Sequence, residues 1–292
     1  MVYRPEIDVA SLEAVDIHVH IEQGHDGHPS LPPALHEAAQ KYFKSDGVTP
    51  DVDGVAAYFR ERRIAAVVFT VDSRTQLDHA PISSIEIAKR AADHADILIP
   101  FGSVDPRTGQ AAIDLAQELV HDYGVRGFKL HPTVQGFDPT DPAIAPLWAA
   151  FEELSVPVLI HTGQTGIGAG TPGGGGFKTA YSNPMLLDGV LADHPGLTMI
   201  LAHPSVPWVD EQISVVTHKA NAWIDLSGWS PKYFPPALVR AMNSYLQDKV
   251  LYGSDFPLLT PERWRRDFAE LELKDEVRPK ILKDNAVRLL GL

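Results

Sequence analysis

The sequence predicts an α/β protein, a (β/α)8 TIM barrel, and three observations support this fold class. Eight short apolar segments follow one another along the chain, and a segment with helical spacing follows each of them. The apolar segments are nearly continuous, which is typical of parallel strands buried on both faces. The chain has 292 residues, which suits such a barrel, whereas the alternative, a doubly wound sheet, usually needs fewer strand–helix units.

The eight predicted strands are runs of mainly Val, Ile, Leu and Ala that turn residues bound on either side. They cover residues 14–20, 65–71, 97–104, 125–131, 157–162, 198–203, 222–227 and 250–254. Several of these runs end on a polar residue. In a parallel barrel the carboxyl ends of the strands are where functional side chains gather.

The predicted helices lie between the strands and after the last one. The first follows Thr-Pro-Asp, and the second places Ile87, Ala91 and Ala95 on one stripe. Five of those that follow have a proline near their start, where proline is preferred. The helices are expected at residues 52–63, 83–94, 110–122, 141–154, 184–193, 207–218, 235–246, 261–271 and 277–289. No change in composition and no repeat divides the chain, so residues 1–292 are expected to form one domain.

The composition excludes several functional classes. There are 38 acidic and 25 basic residues, a formal charge of −13, which argues against nucleic acid or an anionic membrane as partner. No apolar run approaches the roughly 20 residues that span a bilayer, and the N-terminus is charged where a signal peptide needs apolar residues. We therefore expect a cytoplasmic protein whose partner is a small molecule and, since dimers are common for such barrels, a homodimer is the alternative to a monomer.

Cysteine is absent, whereas there are 13 histidines. The chain therefore has no disulfide, no thiolate nucleophile and no thiolate ligand for a metal. Histidine is the usual neutral ligand of divalent metals and the usual acid–base group near neutral pH. The positions of the histidines therefore decide the functional interpretation.

Polar residues of the ligand type end five predicted strands. His18 and His20 end the first strand, and residues two apart on a strand face the same side. His161 ends the fifth strand, His203 the sixth, and Asp255 follows the eighth. Because these strand ends meet in one bowl, the sequence predicts a metal or acid–base site there. Lys129 and His131 end the fourth strand, within the motif Gly-Phe-Lys-Leu-His-Pro, and lie at the same end of the barrel.

Two predicted connections are long, at residues 21–50 and 163–182, and both lie on the carboxyl side of the barrel. Gly168, Gly170 and Gly173 match GxGxxG, but Pro172 and the glycines at 173–176 prevent a helix from starting there. We therefore reject a dinucleotide site and predict a mobile flap. The remaining histidines are interpreted as solvated, surface or capping residues: His25, His28, His36, His79, His94, His121, His194 and His218.

From about Asp16 onward the chain resembles the amidohydrolase superfamily, through its HxH pair, the two later histidines and the final aspartate. The motifs Gly-Phe-Lys-Leu-His-Pro and Tyr-Gly-Ser-Asp-Phe-Pro resemble the amidohydrolase-2 branch, which includes aminocarboxymuconate-semialdehyde decarboxylase. By general similarity, including residues 41–44 and 229–234, the chain also resembles the 4-hydroxyphenyl-β-ketoacyl-CoA hydrolases of that branch.

The resemblance implies one divalent metal ion held by His18, His20, His161 and Asp255, most often zinc, with manganese, cobalt or iron as alternatives. It implies that Asp255 and His203 are the acid–base residues. Lys129 either binds an anionic part of the substrate or, when carboxylated, bridges two metals. His131 is expected to support the site or bind substrate.

Three functional hypotheses follow. The first is a metal-dependent hydrolase in which metal-bound hydroxide attacks a carbonyl, with C–C cleavage of an aromatic β-ketoacyl thioester as the finer form. Its polyanionic substrate would need a local basic patch, for which the sequence offers Lys41, Lys44, Lys178 and Lys232. The second is a non-oxidative decarboxylase of an aromatic or muconate-type acid, a role in aromatic catabolism for which Trp229, Tyr233, Phe234 and Phe256 are candidate apolar walls. The third is an inert barrel.

Overall fold

The structure, a computed structural model, describes residues 2–43 and 50–292, and for residues 39–43 it describes the backbone alone. Within these residues the predicted (β/α)8 barrel is confirmed, and all its paired strands are parallel. The strands are β1 (Ala14–His20), β2 (Ile64–Phe69), β3 (Leu98–Pro100), β4 (Phe128–Leu130), β5 (Val158–His161), β6 (Met199–Ala202), β7 (Ala222–Asp225) and β8 (Val250–Leu251).

Two short junctions close the barrel. The ladders β1–β2–β3 and β4–β5–β6–β7–β8 are continuous, and single parallel bridges join Gly102 to Phe128 and Val19 to Phe256. Gly102 is needed at the first junction, because a Cβ there would lie 2.9 Å from the side chain of Leu119. At the second junction the backbone N–H of Asp255 donates to the carbonyl of His18 over 3.0 Å. The junction that closes the barrel therefore also fixes two predicted metal ligands.

The helices follow the strands, and short extra helices lie in the connections. They are α1 (Pro33–Phe43), α2 (Val52–Glu61), α3 (Arg74–Leu77), α4 (Ser84–Ala92), α5 (Gln110–His121), α6 (Pro132–Gln135), α7 (Ala145–Leu154), α8 (Leu186–Asp193), α9 (Val209–His218), α10 (Pro236–Met242), α11 (Pro261–Ala269), α12 (Val277–Pro279) and α13 (Asn285–Leu290). A π-turn, Lys280–Asp284, joins the last two. Each predicted helix is present with somewhat different ends, whereas α1, α3 and α6 lie in segments that the sequence predicted to be connections.

Several strands are shorter than the sequence predicted. The third was expected to reach residue 104 but ends at Pro100, and the eighth was expected to reach residue 254 but ends at Leu251. After the eighth strand the chain turns toward the site, where Asp255 has a left-handed φ of 69°. Apolar character alone does not show where the ladder stops, since these residues remain buried.

Buried apolar side chains on the strands pack against the inward stripes of the surrounding helices. Helix α11 is a good example, because Thr260 caps its first turn and Pro261 occupies its first position. Trp264 of this helix is fully buried and donates its indole N–H to the carbonyl of Leu226, which follows β7. This contact anchors the helix beneath the carboxyl end of the barrel. Among the described residues no helix is long and apolar enough to cross a membrane.

Candidate metal centre and active site

The carboxyl ends of the strands open into one cavity of about 420 Å³. Eight of the nine site residues predicted from the sequence line it: His18, His20, Lys129, His131, His161, His203, Trp229 and Asp255. The position of each on or just after a strand explains this convergence, because parallel strands in a barrel direct their carboxyl ends to one face. The ninth, Phe256, is not among the described residues that line the cavity.

Three of the predicted metal ligands form a compact triangle. The Nε2 atoms of His18 and His20 are 3.2 Å apart, and each lies 3.2 Å from Oδ1 of Asp255. Ligand atoms about 2.0–2.2 Å from one ion are expected to stand roughly 3 Å from each other. These three atoms can therefore share a single divalent ion.

The predicted fourth ligand, His161, lies in the same cavity but outside this triangle. Its ring stacks on His131 at a centroid distance of 3.7 Å and stands edge-on to His203 at 4.7 Å. Its Nε2 atom is buried and has no hydrogen-bond partner among the residues that the structure describes. A buried nitrogen without a partner is costly unless something binds it, and a metal ion is the kind of group that would.

A buried carboxylate orients His18. Oδ2 of Asp225, at the end of β7, lies 2.6 Å from Nδ1 of His18. A carboxylate only accepts hydrogen bonds, so Nδ1 of His18 donates to Asp225, and Nε2 is the nitrogen that faces the triangle and is available to a metal ion. Carboxylate–histidine pairs of this kind commonly orient metal-binding imidazoles.

Hydrogen bonds also fix the tautomers of His203 and His161. Nδ1 of His203 lies 3.0 Å from the main-chain carbonyl of Ser227, which only accepts, so this nitrogen donates. Nε2 of His203 is then an acceptor, and it lies 3.0 Å from Nδ1 of His161. Nε2 of His161 is then unprotonated, and its lone pair is available to bind a metal.

The hydroxyl of Ser227 links these histidines. It donates to Oδ2 of Asp225 over 2.7 Å and lies 2.9 Å from Nδ1 of His18 and 3.0 Å from Nδ1 of His203. Gly228 follows, and a Cβ there would lie 2.6 Å from Nδ1 of His203. Close packing of the His203 ring against this turn therefore requires glycine.

The electrostatics of the site favour a cation at the triangle. Burial opposes ionisation of Asp255, but the charge of His18 and hydrogen bonds from His18 and His20 hold the pKa of Asp255 well below its usual range. Burial and Lys129 would lower the pKa of His18, yet Asp225 and Asp255 raise it above its ordinary value. The two carboxylates thus stabilise positive charge at this point, as they would stabilise a bound divalent ion.

His203, His131 and His161 are neutral at neutral pH. Burial lowers the pKa of His203 to about 4, and burial followed by neighbouring positive charges lowers the pKa values of His131 and His161 well below the usual value. Neutral imidazole is the form that ligates metals. The residues present therefore fit a divalent ion with nitrogen and oxygen ligands.

Lys129 lies at the bottom of the cavity. It is fully buried, its Nζ is 3.0 Å from Nε2 of His18, and the ammonium stands 5.1 Å from the centre of the Phe69 ring. Burial lowers its pKa to about 8, against the opposing charges of Asp255 and Asp225. A buried amine in this position can face an anionic group of a substrate bound beside the triangle.

The backbone at the site is strained. His203 has a φ of 68° and Asp255 a φ of 69°, so both non-glycine residues adopt the left-handed conformation. Such strain persists only where surrounding contacts hold it, and it concentrates at functional sites. The carbonyl of His203 accepts from the side-chain amide of Gln212 over 2.7 Å, which is one such contact.

The aromatic residues expected to form the wall divide into two groups. Trp229 and Tyr233 line the cavity, together with Leu258 and Leu259. Phe256 instead stacks on Tyr58 at 4.7 Å and meets Phe59 at 5.5 Å, and Phe234 packs near Trp264. The prediction that Phe256 contacts the substrate is therefore corrected to a role in core packing, because its ring lies against Tyr58 and Phe59 of α2.

The proposed basic patch has little structural basis. Nζ of Lys178 donates to the Tyr181 hydroxyl, and Lys232 stands 4.8 Å from the Tyr233 ring; neither lines the cavity. Lys44 and the side chain of Lys41 lie outside the described residues. Among the described lining residues the cations are Lys129 and Arg263, the latter at the exposed rim.

Comparison with known proteins places the chain in a family. The family model Amidohydro_2, described as amidohydrolase, matches residues 15–292. The chain belongs to the amidohydrolase family. The amidohydrolase match covers every residue of the triangle, together with Lys129, His161, His203 and Asp225, so the whole site lies within the family region.

Solved structures similar to this amidohydrolase share its fold. An uncharacterized TIM-barrel protein from Bordetella bronchiseptica is 24% identical, with a TM-score of 0.76 over 95% of this chain and 98% of that one. A 2,6-dihydroxybenzoate decarboxylase complexed with 2,6-dihydroxybenzoate is 20% identical, with a TM-score of 0.68 over 96% and 100%. A 5-carboxyvanillate decarboxylase from Novosphingobium aromaticivorans, complexed with manganese and 4-hydroxy-3-methoxy-5-nitrobenzoic acid, is 13% identical, with a TM-score of 0.69 over 98% and 97%.

Sequence reasoning missed Asp225 and Ser227. Both lie at the end of the predicted strand 222–227, in Trp-Ile-Asp-Leu-Ser, and both obey the rule that drew attention to the other strand ends. The same rule applied to the seventh strand would have found them. Glu22, which also lines the cavity, lies in a connection where no periodicity indicates the direction of a side chain, and Arg263 lies in the first turn of α11 on its exposed side.

Proposed function

We propose that this amidohydrolase is a metal-dependent decarboxylase of a small aromatic carboxylic acid. The observation that carries the proposal is the combination, in one cavity, of the His18–His20–Asp255 triangle, a buried lysine and apolar walls. Both the decarboxylase hypothesis and the hydrolase hypothesis use this donor set. The fold likeness to decarboxylases of 2,6-dihydroxybenzoate and 5-carboxyvanillate supports the former over hydrolysis of a ketoacyl thioester.

The cavity suits an aromatic acid in size and surface. Its volume of about 420 Å³ lies in the range of small-molecule sites. Six of its lining side chains present mainly apolar surface to a ring: Val71, Val134, Ile167, Trp229, Leu258 and Leu259. The metal triangle and Lys129 lie side by side in the cavity, so a flat ring with one charged edge would have a defined orientation.

His18, His20 and Asp255 would hold the metal ion, with His161 as the proposed fourth ligand. When bound, a divalent ion supplies positive charge that holds the carboxylate and a neighbouring hydroxyl and stabilises the electrons left on the ring. Its identity is open; the manganese in one similar structure makes Mn²⁺ a candidate beside Zn²⁺. Lys129 would face the substrate carboxylate from the other side and keep it at the inner end.

The bond between the ring carbon and the carboxyl carbon breaks, carbon dioxide leaves, and the ring carbon takes up one proton. We assign the handling of this proton to Asp255 and His203. The cavity walls exclude bulk water from the ring face, which limits hydrolysis and uncontrolled proton exchange. Asp225 and Ser227 act through His18 and His203, whose orientation they hold.

A panel of substrates tests the proposal. The enzyme, loaded with Mn²⁺ or Zn²⁺, is incubated in ¹⁸O-water with hydroxybenzoates, a muconate-type acid and an aromatic β-ketoacyl thioester, and carbon dioxide and labelled acids are measured together. We expect carbon dioxide from an aromatic acid and no label in the product. Labelled acid without carbon dioxide would support the hydrolase instead.

Variants identify the residues that act. Asp255→Asn should lose both metal and activity, whereas His203→Asn should keep the metal and lose at least about 100-fold in turnover, the usual size of an acid–base contribution. His121→Phe, on the exposed side of α5, is the matched control and should retain full activity.

A further inference from the structure

Two histidines that the sequence assigned to the surface make a reciprocal contact between two loops. Nε2 of His28, in the first long loop, lies 2.6 Å from the carbonyl of Ala80. Nε2 of His79, in the connection after α3, lies 3.0 Å from the carbonyl of Pro29. Both carbonyls only accept, so both Nε2 atoms donate. We call this pair the histidine clamp.

The two rings of the histidine clamp also stack. Their centroids are 4.9 Å apart and their planes differ by 15°. Each histidine therefore makes one directional bond to the opposite segment and shares one apolar face with its partner. Neither ring is among the described residues that line the cavity.

The segment that the clamp holds forms part of the cavity wall. Ser30 and Leu31 follow Pro29 directly, and both line the cavity with Glu22. Residues 22–30 form a small hairpin, with a bridge between Gln23 and Pro29 and a 3.0 Å bond from the Ser30 N–H to the Glu22 carbonyl. This hairpin needs an outside anchor, because a two-stranded hairpin alone is marginal in water.

The clamp also connects to the metal triangle. The Ser30 hydroxyl donates to the carboxylate of Glu22. The other oxygen of Glu22 lies 3.9 Å from Nδ1 of His20, one corner of the triangle. A shift of Pro29 would therefore move Ser30 and Glu22 beside a proposed metal ligand.

We propose that His28 and His79 are positioning residues that hold residues 28–31 as a fixed wall of the substrate cavity. This inference depends on the proposed function in one respect: the substrate whose KM is measured is an aromatic carboxylic acid. Without the clamp the wall opens more often, so substrate binds more weakly while the chemistry of the bound complex is little changed.

Matched variants separate the two parts of the contact. His79→Phe keeps a stacking ring and removes the donor, whereas His79→Gln keeps an Nε2–H donor and removes the ring. His28→Phe removes the reciprocal donor, and His121→Phe is the surface control. Amide hydrogen exchange is followed by mass spectrometry in peptides covering residues 21–32, with peptides of β1 and β5 as an internal reference for global opening.

We expect His79→Phe and His28→Phe each to speed exchange in residues 21–32 about fivefold, the effect of losing one net hydrogen bond. His79→Gln should stay within about twofold of the wild type, because it keeps the donor to the Pro29 carbonyl. With substrate, KM should rise about threefold or more in the Phe variants and kcat should change less than about twofold.

Unchanged exchange in both Phe variants would overturn the proposal. An equal increase in the exchange rates of the β1 and β5 peptides and of residues 21–32 would also overturn it, because it would indicate a role in global stability. Exchange is measured without substrate. A failure to find decarboxylation would therefore count against the proposed function and leave the exchange result to decide on the clamp.

Discussion

Nδ1 of His18 donates to Oδ2 of Asp225 over 2.6 Å, whereas Nε2 of the same ring faces the metal triangle. This contact joins the first strand to the seventh and decides which nitrogen of His18 faces the ion. Both side chains are fully buried, so water cannot replace either partner. The metal affinity of the enzyme should therefore depend on a residue that does not touch the metal.

Asp225→Asn keeps the shape of the side chain and removes its charge. The amide holds the His18 proton less firmly and no longer supports positive charge at the triangle. We expect the metal dissociation constant to rise about 10- to 100-fold, as for other residues that orient metal ligands. Competition with a chelating dye measures this directly.

Ser227→Ala is the control for that experiment. It removes a hydroxyl beside the same two atoms but leaves the His18–Asp225 bond and the carbonyl that holds His203. Its dissociation constant should change by no more than about fivefold, the worth of one ordinary hydrogen bond. Equal effects of the two variants would show that packing, and not the carboxylate, sets the affinity.

Metal removal should destabilise the protein. A ligand that binds only the folded state at 100 times its dissociation constant adds about 2.7 kcal/mol to the free energy of unfolding. We expect chelation to lower the thermal midpoint and readdition of Zn²⁺ or Mn²⁺ to restore it. A protein purified without metal, with a midpoint that neither chelator nor metal changes, would favour the inert barrel.

The fold and the inner ring of the site could be predicted from the sequence because both follow from periodicity. Strand ends at His18, His20, His161 and His203 are visible as polar residues that close apolar runs. Asp225 ends the seventh strand and obeys the same rule.

The outer parts of the site could not be predicted in this way. Phe256 directly follows a predicted ligand, but a left-handed turn at Asp255 directs its ring into the core. His28 and His79 are 51 positions apart in loops without periodicity, so only tertiary structure shows that they stack. Side-chain direction in a loop depends on its backbone angles, which composition does not determine.

Gly253→Ala should displace Asp225 and His18 and so destabilise the site. A Cβ at this position would lie 2.3 Å from Oδ1 of Asp225 and 2.9 Å from Cβ of His18. Both neighbours are buried and bonded to each other, so we expect a loss of about 1–3 kcal/mol in the free energy of unfolding, typical of overpacking. Metal affinity should fall with it. Chemical denaturation and the dye competition measure the two effects.

The control for Gly253→Ala is Gly189→Ala. Gly189 lies within α8, and a Cβ there would meet nothing within 4 Å. Alanine favours a helix over glycine by up to about 1 kcal/mol, so this variant should be as stable as the wild type or more stable. If both substitutions behaved alike, the close approach at Gly253 would not be limiting.

Arg263 should select substrates that carry a second anionic group. It lies in the first turn of α11 at the rim of the cavity, and no described carboxylate forms an ion pair with it, although the chain has a charge of −13. Lys129 occupies the inner end, so an acid with two anionic groups could meet a cation at each end. Because Arg263 is exposed and screened by solvent, Arg263→Ala should raise KM for such an acid only about threefold to fivefold, with little change in kcat. The effect should shrink at high salt.

Arg240→Ala, on α10 and outside the described cavity lining, is the control and should leave KM unchanged. A monoanionic acid should bind equally to the wild type and Arg263→Ala; an equal rise in KM for both acids would show that Arg263 shapes the rim and does not recognise charge.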